Sequence, residues 1–326
     1  EMQRSLVGSE MCIRDRKKGT EAESFSSFLL RRSNMPKKKK SIYPLWVLIP
    51  ALLIYTVFSV VPIVISLVCS FTDWNMGRLY TPAFNGVANY IELLKDPVFL
   101  RSIGNTFLFA LATTILKTVV GFLLALVMVK KIPGRGIMRT IYYAPCVISI
   151  TVVGVLFKSI LANKGLLNNI LQMIGLSNLT HDWLGSYGTA IGSVILVETW
   201  MWAGFNMFIF ISGLQAIPED YYESATLDGA SAFAKLKNIT LPLIVPSMTV
   251  VVTLSIAGGL KVFDIIYVLT NGGPGFDTQV LATYTYQSFS LGFLGESSAG
   301  SVILAVIVVI ISFTMNRYFT KREVEM

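Results

Sequence analysis

The stretch LWVLIPALLIYTVFSVVPIVISLVCSF, residues Leu45–Phe71, contains no Asp, Glu, Lys, Arg or His. An apolar run of eighteen or more residues with few or no charges is long enough to cross a bilayer as an α-helix. Five further runs of this kind follow: Phe107–Val129, Ile141–Leu161, Ala190–Leu214, Leu243–Leu269 and Val302–Phe319. The sequence therefore predicts an all-α polytopic membrane protein with six transmembrane helices.

The composition favours the same fold class. Of the 326 residues, 53% are hydrophobic and 14% are charged, whereas about 25% of the residues of a soluble domain are charged. These values exclude a soluble enzyme, a nucleic-acid-binding protein and a secreted disulfide scaffold as descriptions of the whole chain. Cys12, Cys69 and Cys146 form no disulfide pattern, and the single His181 has no Cys or His neighbours, so no metal site is expected.

The basic residues predict the orientation of the chain. The formal net charge is +8, and beyond residue 34 the Lys and Arg residues of the loops concentrate in alternate segments. Thirteen lie in 37–40, 130–139, 235–237 and 317–322, and only four lie in the other three loops, namely Arg78, Lys95, Arg101 and Lys164. Because basic residues accumulate on the cytoplasmic side, both termini are predicted to be cytoplasmic, as six spans require.

Residues 1–34 are expected to be a non-native or disordered extension. They lack an apolar core of signal-peptide length. Residues Ser5–Arg16, SLVGSEMCIRDR, back-translate to a nucleotide string that resembles a transposase adapter used in preparing sequencing libraries. The native chain is then expected to begin at Met35, and a genuine disordered cytoplasmic tail is the alternative.

The loop AIPEDYYESATLDGASAFAKLKNITLPLIVP (Ala216–Pro246) predicts a helix–turn–helix elbow. Pro218 suits the first helical position, and the two acidic residues after it suit the positive end of the helix dipole. This helix is expected to run to about Asp228, where Gly229 can take the left-handed conformation that ends a helix. A second short helix is predicted over Ser231–Asn238. From the residues alone, a solvated connector is the alternative.

Within this elbow, ESATLDGASAFAKLKNITLP resembles the EAA loop of ABC-importer permeases, whose pattern is E-A-A-x-x-x-G followed by a distal I-x-L-P. The matching residues are Glu223, Ala225, Gly229, Ile239, Leu241 and Pro242, with Ser224 in place of the usual middle Ala. The resemblance implies that the loop couples the permease to cytoplasmic ATPases. The residues it assigns to this role are Glu223, Ser224, Ala225, Asp228, Gly229, Ala230, Leu241 and Pro242.

A second match, KVFDIIYVLTNGGPGFDTQVLATYTYQSF (Lys261–Phe289), follows the fifth apolar run. Its NGGPG block predicts a tight loop at the exported face, because three glycines and a proline cannot continue a helix. The segment is similar to the T-x-G-G-P-x-x-x-T segment of carbohydrate permeases, in particular the maltose-type first permease of a pair. Similarity extends from about Leu45 to the C-terminus. It implies the type I ABC-importer permease fold in a prokaryotic cytoplasmic membrane.

The resemblance also implies a subunit that is not an enzyme. No GxxxxGK[ST] arrangement occurs, so ATP is expected to be bound by partner subunits and no cofactor by this chain. The implied partners are a second permease, two cytoplasmic ATP-binding subunits, an exported solute-binding protein and membrane lipid, without nucleic acid. The predicted organisation is a first transmembrane helix and exported loop over 35–102, the ABC transmembrane type-1 permease core over 103–319 and a cytoplasmic tail over 320–326.

Polar and aromatic residues inside two apolar runs are candidates for a solute pathway. Polar groups at bilayer depth usually face a cavity or a partner, and aromatic rings beside hydroxyl groups suit a sugar. Maltose-type permeases place solute contacts at about these positions. The candidates are Glu198, Trp200, Gly204, Asn206, Ser255, Gly259 and Val262. Helix packing, in which small residues permit close approach, is the alternative.

Four charged residues also lie within the apolar runs besides Glu198. Lys261 and Asp264 are three residues apart and are predicted to form a structural ion pair on one turn of a helix. Lys117 and Lys158 can either extend toward the membrane interface or meet Glu198. The sequence does not distinguish these two arrangements.

The predicted function is a transmembrane subunit of an ATP-driven importer for a carbohydrate or related polyol. The alternatives are a permease of the same superfamily for another solute class, such as phosphodiesters or amino acids, an ion-gradient-driven secondary transporter, and a membrane-embedded enzyme. A secondary transporter should show inverted repeats with paired broken helices, and a membrane enzyme should show clustered His, Asp or Cys. The sequence displays neither pattern.

The topology can be tested with a reporter that is active only in the cytoplasm. Because the basic loops should stay inside, we expect activity for fusions after Lys131, Lys237 and Met326. We expect none for fusions after Lys95, Leu176 and Gly275. Activity after Gly275 would contradict the six-helix arrangement.

Overall fold

The computed structural model describes residues 45–130 and 132–320. The extension predicted over 1–34, and most of the tail predicted over 320–326, lie outside these residues. The described parts are helical, with a single isolated β-bridge between Thr72 and Phe84. By contacts the described residues divide into two units, with the boundary between residues 61 and 62.

The described residues form thirteen helices besides short 3-10 turns. The first helix, α1, contains the boundary between the two units. Helix α1 has one turn of π-helix, at Thr56–Val60. The helices are α1 (Ile49–Cys69), α2 (Ala88–Lys95), α3 (Pro97–Val129), α4 (Arg135–Val147), α5 (Ile150–Ile160), α6 (Leu166–Met173), α7 (Thr189–Ala216), α8 (Glu219–Leu227), α9 (Ala232–Leu243), α10 (Val245–Leu260), α11 (Asp264–Leu269), α12 (Leu281–Ser290) and α13 (Leu294–Thr320).

Four of these helices are long and apolar enough to cross a membrane, namely α1, α3, α7 and α13. Two bent pairs, α4 with α5 and α9 with α10, meet the same test when each pair is taken as one span. The described chain is therefore a helical membrane protein with four to six candidate spans. Two shorter helices, α2 and α6, lie in the loops that follow the first and third apolar runs.

The third apolar run is not one helix, so the expectation of a single continuous helix over Ile141–Leu161 is wrong. Helices α4 and α5 meet at 97°. Pro145 lies inside α4 without an N–H to donate, and Ile148 takes an extended conformation with ψ 141°. Ser149 then precedes α5. Proline lacks the N–H of one helical hydrogen bond and crowds the turn before it, so Pro145 weakens the end of α4, and the break itself lies at Ile148, where the backbone leaves helical geometry.

The elbow and the fifth run also differ from their predictions. The second elbow helix does not end at Asn238 but continues as α9 to Leu243, and the chain bends by 67° where α10 begins. Pro218 precedes the first helical residue of α8 instead of occupying that position. Helix α10 ends at Leu260, directly after Gly258 and Gly259, and Phe263 (φ −137°, ψ −62°) separates it from α11. Glycine weakens a helix by about 1 kcal/mol relative to alanine, so a pair of glycines favours this end.

Helix α7 lies at the centre of the second unit. Fifteen of its side chains are buried, and two separate apolar clusters form along it. One contains Val194, Val197 and Met201, and the other contains Met207, Phe210, Ile211 and Leu214. Helix α3 packs along α7 so closely that a Cβ on Gly121 would lie 2.8 Å from Cβ of Asn206. The residues of α7 between the two clusters face the site described below.

Hydrogen bonds join the N-terminal ends of two long helices. Asn105 of α3 donates from Nδ2 to the carbonyl oxygens of Asp277 and Gln279, each at 2.9 Å. The Asp277 carboxylate pairs with Arg101 and accepts a hydrogen bond from the backbone N–H of Gly188, just before α7. The loop before α12 is thereby fixed to the N-terminal ends of both α3 and α7.

A tyrosine joins three elements at the same end. The Tyr284 hydroxyl on α12 lies 2.6 Å from Oδ2 of Asp96 and 2.8 Å from Oε1 of Glu296. Burial raises the pKa of Tyr284, and its hydrogen bonds to the two carboxyl groups raise it further. Tyr284 therefore stays protonated at neutral pH and anchors α12 to the N-termini of α3 and α13.

Candidate functional site

A cavity of about 330 Å³ lies between α3, α7 and the segment from α10 to α11. Its size is within the range of small-molecule sites. Its walls combine aromatic rings, hydrogen-bonding groups and charges. The lining residues are Lys117, Ile150, Glu198, Trp202, Phe205, Asn206, Leu254, Ser255, Gly258, Lys261, Val262, Phe263, Asp264 and Ile265.

A buried ion pair forms part of this wall. Nζ of Lys117 lies 3.3 Å from Oε1 of Glu198, and both side chains are nearly inaccessible to solvent. Of the two arrangements left open for Lys117, the structure shows the one that meets Glu198. Lys158 is exposed on α5 and makes no ion pair within the described residues. Two charges buried together need each other, because either one alone would carry an uncompensated desolvation cost.

A second polar contact crosses the cavity wall about two helical turns further along α7. Nδ2 of Asn206 on α7 donates to Oγ of Ser255 on α10 at 3.1 Å, and both residues are buried. Trp202 lies between Glu198 and Asn206 at four-residue spacing, so these three side chains share one face of α7. The face presents an anion, an aromatic ring and an amide to the same cavity.

The prediction of an ion pair between Lys261 and Asp264 is wrong, because a helix break lies between the two residues. Lys261 follows the end of α10, Asp264 is the first residue of α11, and the described residues include no ion pair between them. Both are exposed and line the cavity. The helix break at Phe263 separates two residues that a continuous helix would have brought together.

The structure divides the seven pathway candidates into two sets. Glu198, Asn206, Ser255 and Val262 line the cavity, whereas Trp200, Gly204 and Gly259 do not. Trp200 is 44% exposed, and its ring centroid lies 5.1 Å from that of Phe157.

The two glycines lie at helix contacts. A Cβ on Gly204 would lie 3.0 Å from Cα of Tyr143 and still closer to the carbonyl of Tyr142. A Cβ on Gly259 would lie 2.7 Å from Cα of Ala110. These positions fit the packing alternative, because only glycine allows the backbones to approach so closely.

The sequence did not select Trp202, Phe205, Gly258 or Phe263 as candidates. For Trp202 a signal was present: counting in steps of four from Glu198 gives Trp202 and Asn206, whereas counting from Trp200 gives Gly204 and the opposite face. No helical periodicity could have identified Phe263 as a cavity residue, because it lies in the break between two helices.

The elbow forms a second candidate site, at the other end of α7. Gly229 has φ +74°, the backbone N–H of Ala230 donates to the Ala225 carbonyl at 2.9 Å, and that of Gly229 donates to Thr226 at 3.0 Å. This is the predicted left-handed helix end. Oγ of Ser231 then accepts a hydrogen bond from the backbone N–H of Ala234 and caps α9.

Two side-chain contacts hold the arms of the elbow together. Nζ of Lys235 on α9 donates to Oγ1 of Thr226 on α8 at 2.7 Å. The Tyr222 hydroxyl lies 3.0 Å from Oγ1 of Thr240. A displacement of α8 must therefore move α9, which continues through the bend into α10 and its cavity-lining Ser255.

The outer surface of the elbow offers apolar and acidic groups. Leu227 is 90% exposed and Phe233 is 72% exposed. Of the residues assigned to coupling, Glu223, Ser224, Asp228, Gly229 and Pro242 are exposed, whereas Ala225, Ala230 and Leu241 are half-buried. Glu223 also lines a cavity of about 540 Å³ together with Arg135 and Glu219. Exposed apolar side chains beside charges are typical of a surface that a partner protein covers.

The comparisons with known proteins agree on one family. The family model described as "Binding-protein-dependent transport system inner membrane component" matches residues 117–323. The trehalose/maltose transport system permease protein MalF of Thermococcus litoralis is 36% identical over 234 residues, which cover 71% of this chain and 78% of that protein.

Two crystal structures have a similar fold. One is a bacterial ABC transporter involved in the import of the acidic polysaccharide alginate, with a TM-score of 0.74, 26% identity and coverage of 84% of this chain and 94% of the matched chain. The other is the alginate transporter in complex with an alginate pentasaccharide-bound periplasmic protein, with a TM-score of 0.72, 26% identity and coverage of 83% and 91%.

The buried ion pair generates a prediction about stability. Lys117→Met and Glu198→Gln should each destabilise the protein strongly, by about 3–5 kcal/mol for the loss of one partner of a buried pair. The double variant should be more stable than either single variant, because it leaves no unpaired charge. Thermal unfolding of the detergent-purified protein measures the effect.

Lys158→Met is the matched control for this series, because it removes an exposed lysine that has no ion pair, and we expect little change. If the double variant lost as much stability as the two single variants together, the pair would make no net contribution.

Proposed function

The chain belongs to the family of binding-protein-dependent transport system inner membrane components, and from this membership we propose that it is a permease subunit of an ATP-driven importer for a carbohydrate or related polyol. The family describes a membrane component, and the described helices provide several candidate spans. The similarity to a trehalose/maltose permease and to an alginate importer supports the solute class.

The proposed topology has six transmembrane helices with both termini in the cytoplasm. The two bent pairs then count as one span each, which agrees with the upper count of six. The alternation of basic loops supports the orientation. The protein would lie in the inner, or cytoplasmic, membrane of a prokaryote.

The proposed pathway includes the cavity beside the Lys117–Glu198 pair. Trp202 and Phe205 offer aromatic faces for the C–H surface of a sugar, and Asn206 and Ser255 offer hydrogen-bonding groups for hydroxyls. The four charges in the wall, on Lys117, Lys261, Glu198 and Asp264, sum to zero. This balance favours a neutral, polyhydroxylated solute over an ion.

The partners follow from the same proposal. A second permease would complete the pathway, two cytoplasmic subunits would bind ATP, and an exported binding protein would deliver the solute. This chain would perform no covalent chemistry and hold no cofactor. The alginate importer, whose crystal structure includes a periplasmic protein, supports the assignment of a delivering partner.

The elbow is the single observation that supports coupling best. It connects α7 to α9 and α10, and both α7 and α10 line the cavity. If the ATPases bind α8 and the Gly229 turn differently in their open and closed states, they shift the equilibrium between the two access states of the pathway. The hydrogen bond between Lys235 and Thr226 transmits that displacement to α9.

Gly229→Val and Glu223→Lys test this proposal. A Cβ at Gly229 meets no atom within 4 Å, so valine adds only the strain of φ +74°, roughly 1–2 kcal/mol. Glu223→Lys reverses a charge on the surface that an ATPase would cover. We expect both variants to insert in the membrane and both to lose solute-stimulated ATP hydrolysis and vesicle uptake. Co-purification of the ATPase with each variant measures the contact directly.

The matched controls carry the same changes away from the elbow. Gly175→Val imposes valine at φ +82° beside α6, where a Cβ also meets no atom within 4 Å. Glu92→Lys reverses an exposed charge on α2. We expect both controls to retain uptake. Wild-type ATPase retention and normal uptake in both elbow variants would make the loop an ordinary connector.

A further inference from the structure

We refer to the cavity beside the Lys117–Glu198 pair as the central cavity. A second pocket lies beside it, between the helix break at Phe263 and helices α12 and α13. We refer to it as the aromatic pocket. It has a volume of about 370 Å³. Its lining residues are Phe263, Ala282, Thr285, Tyr286, Phe289, Ser297 and Ser301. None of them carries a charge at neutral pH.

Phe263 belongs to both the central cavity and the aromatic pocket. Its ring centroid lies 5.1 Å from that of Tyr286 at 61°, and 5.2 Å from that of Tyr267 at 17°. Tyr267 and Tyr286 are also in edge contact at 5.3 Å. The three rings form one cluster that reaches from the wall of the cavity to the surface of α12, so the two spaces share a boundary made of a single side chain.

The hydroxyl groups of the pocket accompany exposed rings. Tyr286 is 43% exposed and Phe289 is 56% exposed. Ser301 is exposed and makes no hydrogen bond within the described residues, while the Ser297 hydroxyl donates to the Thr285 carbonyl at 2.7 Å. Hydroxyl groups gain nothing from facing lipid tails, whereas rings bordered by hydroxyls match the apolar faces and polar rim of a sugar.

We propose that the aromatic pocket is a second saccharide subsite, contiguous with the central cavity across Phe263. It takes a neighbouring ring of a neutral oligosaccharide whose other ring occupies the cavity. The inference rests on the proposed function, because it requires a carbohydrate pathway. It adds that α12 and the start of α13 border that pathway and do not face lipid.

Cysteine labelling of the assembled importer in proteoliposomes tests the proposal. Ser301→Cys is introduced after Cys12, Cys69 and Cys146 have been replaced by Ala, and a membrane-impermeant methanethiosulfonate reagent is added. The matched control is Val309→Cys, which lies two turns along α13 on a similar face and is 66% exposed. The probes are glucose, maltose, trehalose, lactose and maltotriose, and those that stimulate ATP hydrolysis are used for protection.

We expect the thiol at 301 to react and the thiol at 309 to remain unlabelled. A stimulating di- or trisaccharide at about ten times its half-saturating concentration should slow labelling at 301 about tenfold, whereas glucose, with one ring, should not. Equal reactivity at the two positions, or labelling at 301 that such a saccharide does not slow, would overturn the subsite while the importer function stands. If no probe stimulated ATP hydrolysis in the wild-type complex, the proposed carbohydrate function itself would fail.

A second measurement separates binding from folding. Tyr286→Ala should raise the KM for uptake of a disaccharide or of maltotriose about fivefold relative to the KM for glucose, the factor for the loss of one ring contact. Tyr286→Phe keeps the ring and should restore the wild-type KM. If Tyr286→Ala changed kcat alone, or changed the KM of every saccharide equally, the pocket would not be a subsite for a further ring.

Discussion

The contact between Lys117 and Glu198 determines how the rest of the second unit is arranged. A bilayer provides no water, so a buried carboxylate and ammonium must find each other or neutralise. Their contact at 3.3 Å joins α3 to α7 within the central cavity. Helix α3 must therefore pack along α7 in one register, in which Gly121 meets Asn206. The apolar clusters on either side of this polar segment then follow from the remaining faces of α7.

The break between α10 and α11 and the bend between α9 and α10 determine which groups border the central cavity. Had the fifth run continued as one helix, Lys261 and Asp264 would have shared one face, at pairing distance. The helix instead ends just after Gly258 and Gly259. The side chains of Lys261, Phe263 and Asp264 all border the central cavity as a result. The bend between α9 and α10 serves a different purpose. It redirects the elbow helix α9 into α10, the helix that carries Ser255, so the elbow surface and the cavity wall belong to one bent segment.

Motifs that depend on local backbone geometry were predicted well from the sequence. The left-handed turn at Gly229 is a property of a few consecutive residues, and the structure has it as expected, with φ +74°. The cavity was predicted less well, because it depends on which face of α7 meets α3 and α10. Trp202 shares a face with Glu198 by spacing and Trp200 does not, but only the contact of Glu198 with Lys117 shows that this face borders the cavity. Gly204 and Gly259 face other helices, which only the packing reveals.

The sequence by itself determined the membrane class, the helical content, the elbow and the family, because each of these follows from hydropathy, charge distribution or a motif of fixed spacing. Only the tertiary structure decided that Lys117 meets Glu198, that Lys261 and Asp264 stay apart, and that Phe263 borders two pockets. These outcomes depend on helix register and on the angles at two breaks. Proline and glycine indicate where a helix can end, but the register of one helix against another and the angle at a break depend on contacts between residues distant in sequence, which no local pattern along the chain encodes.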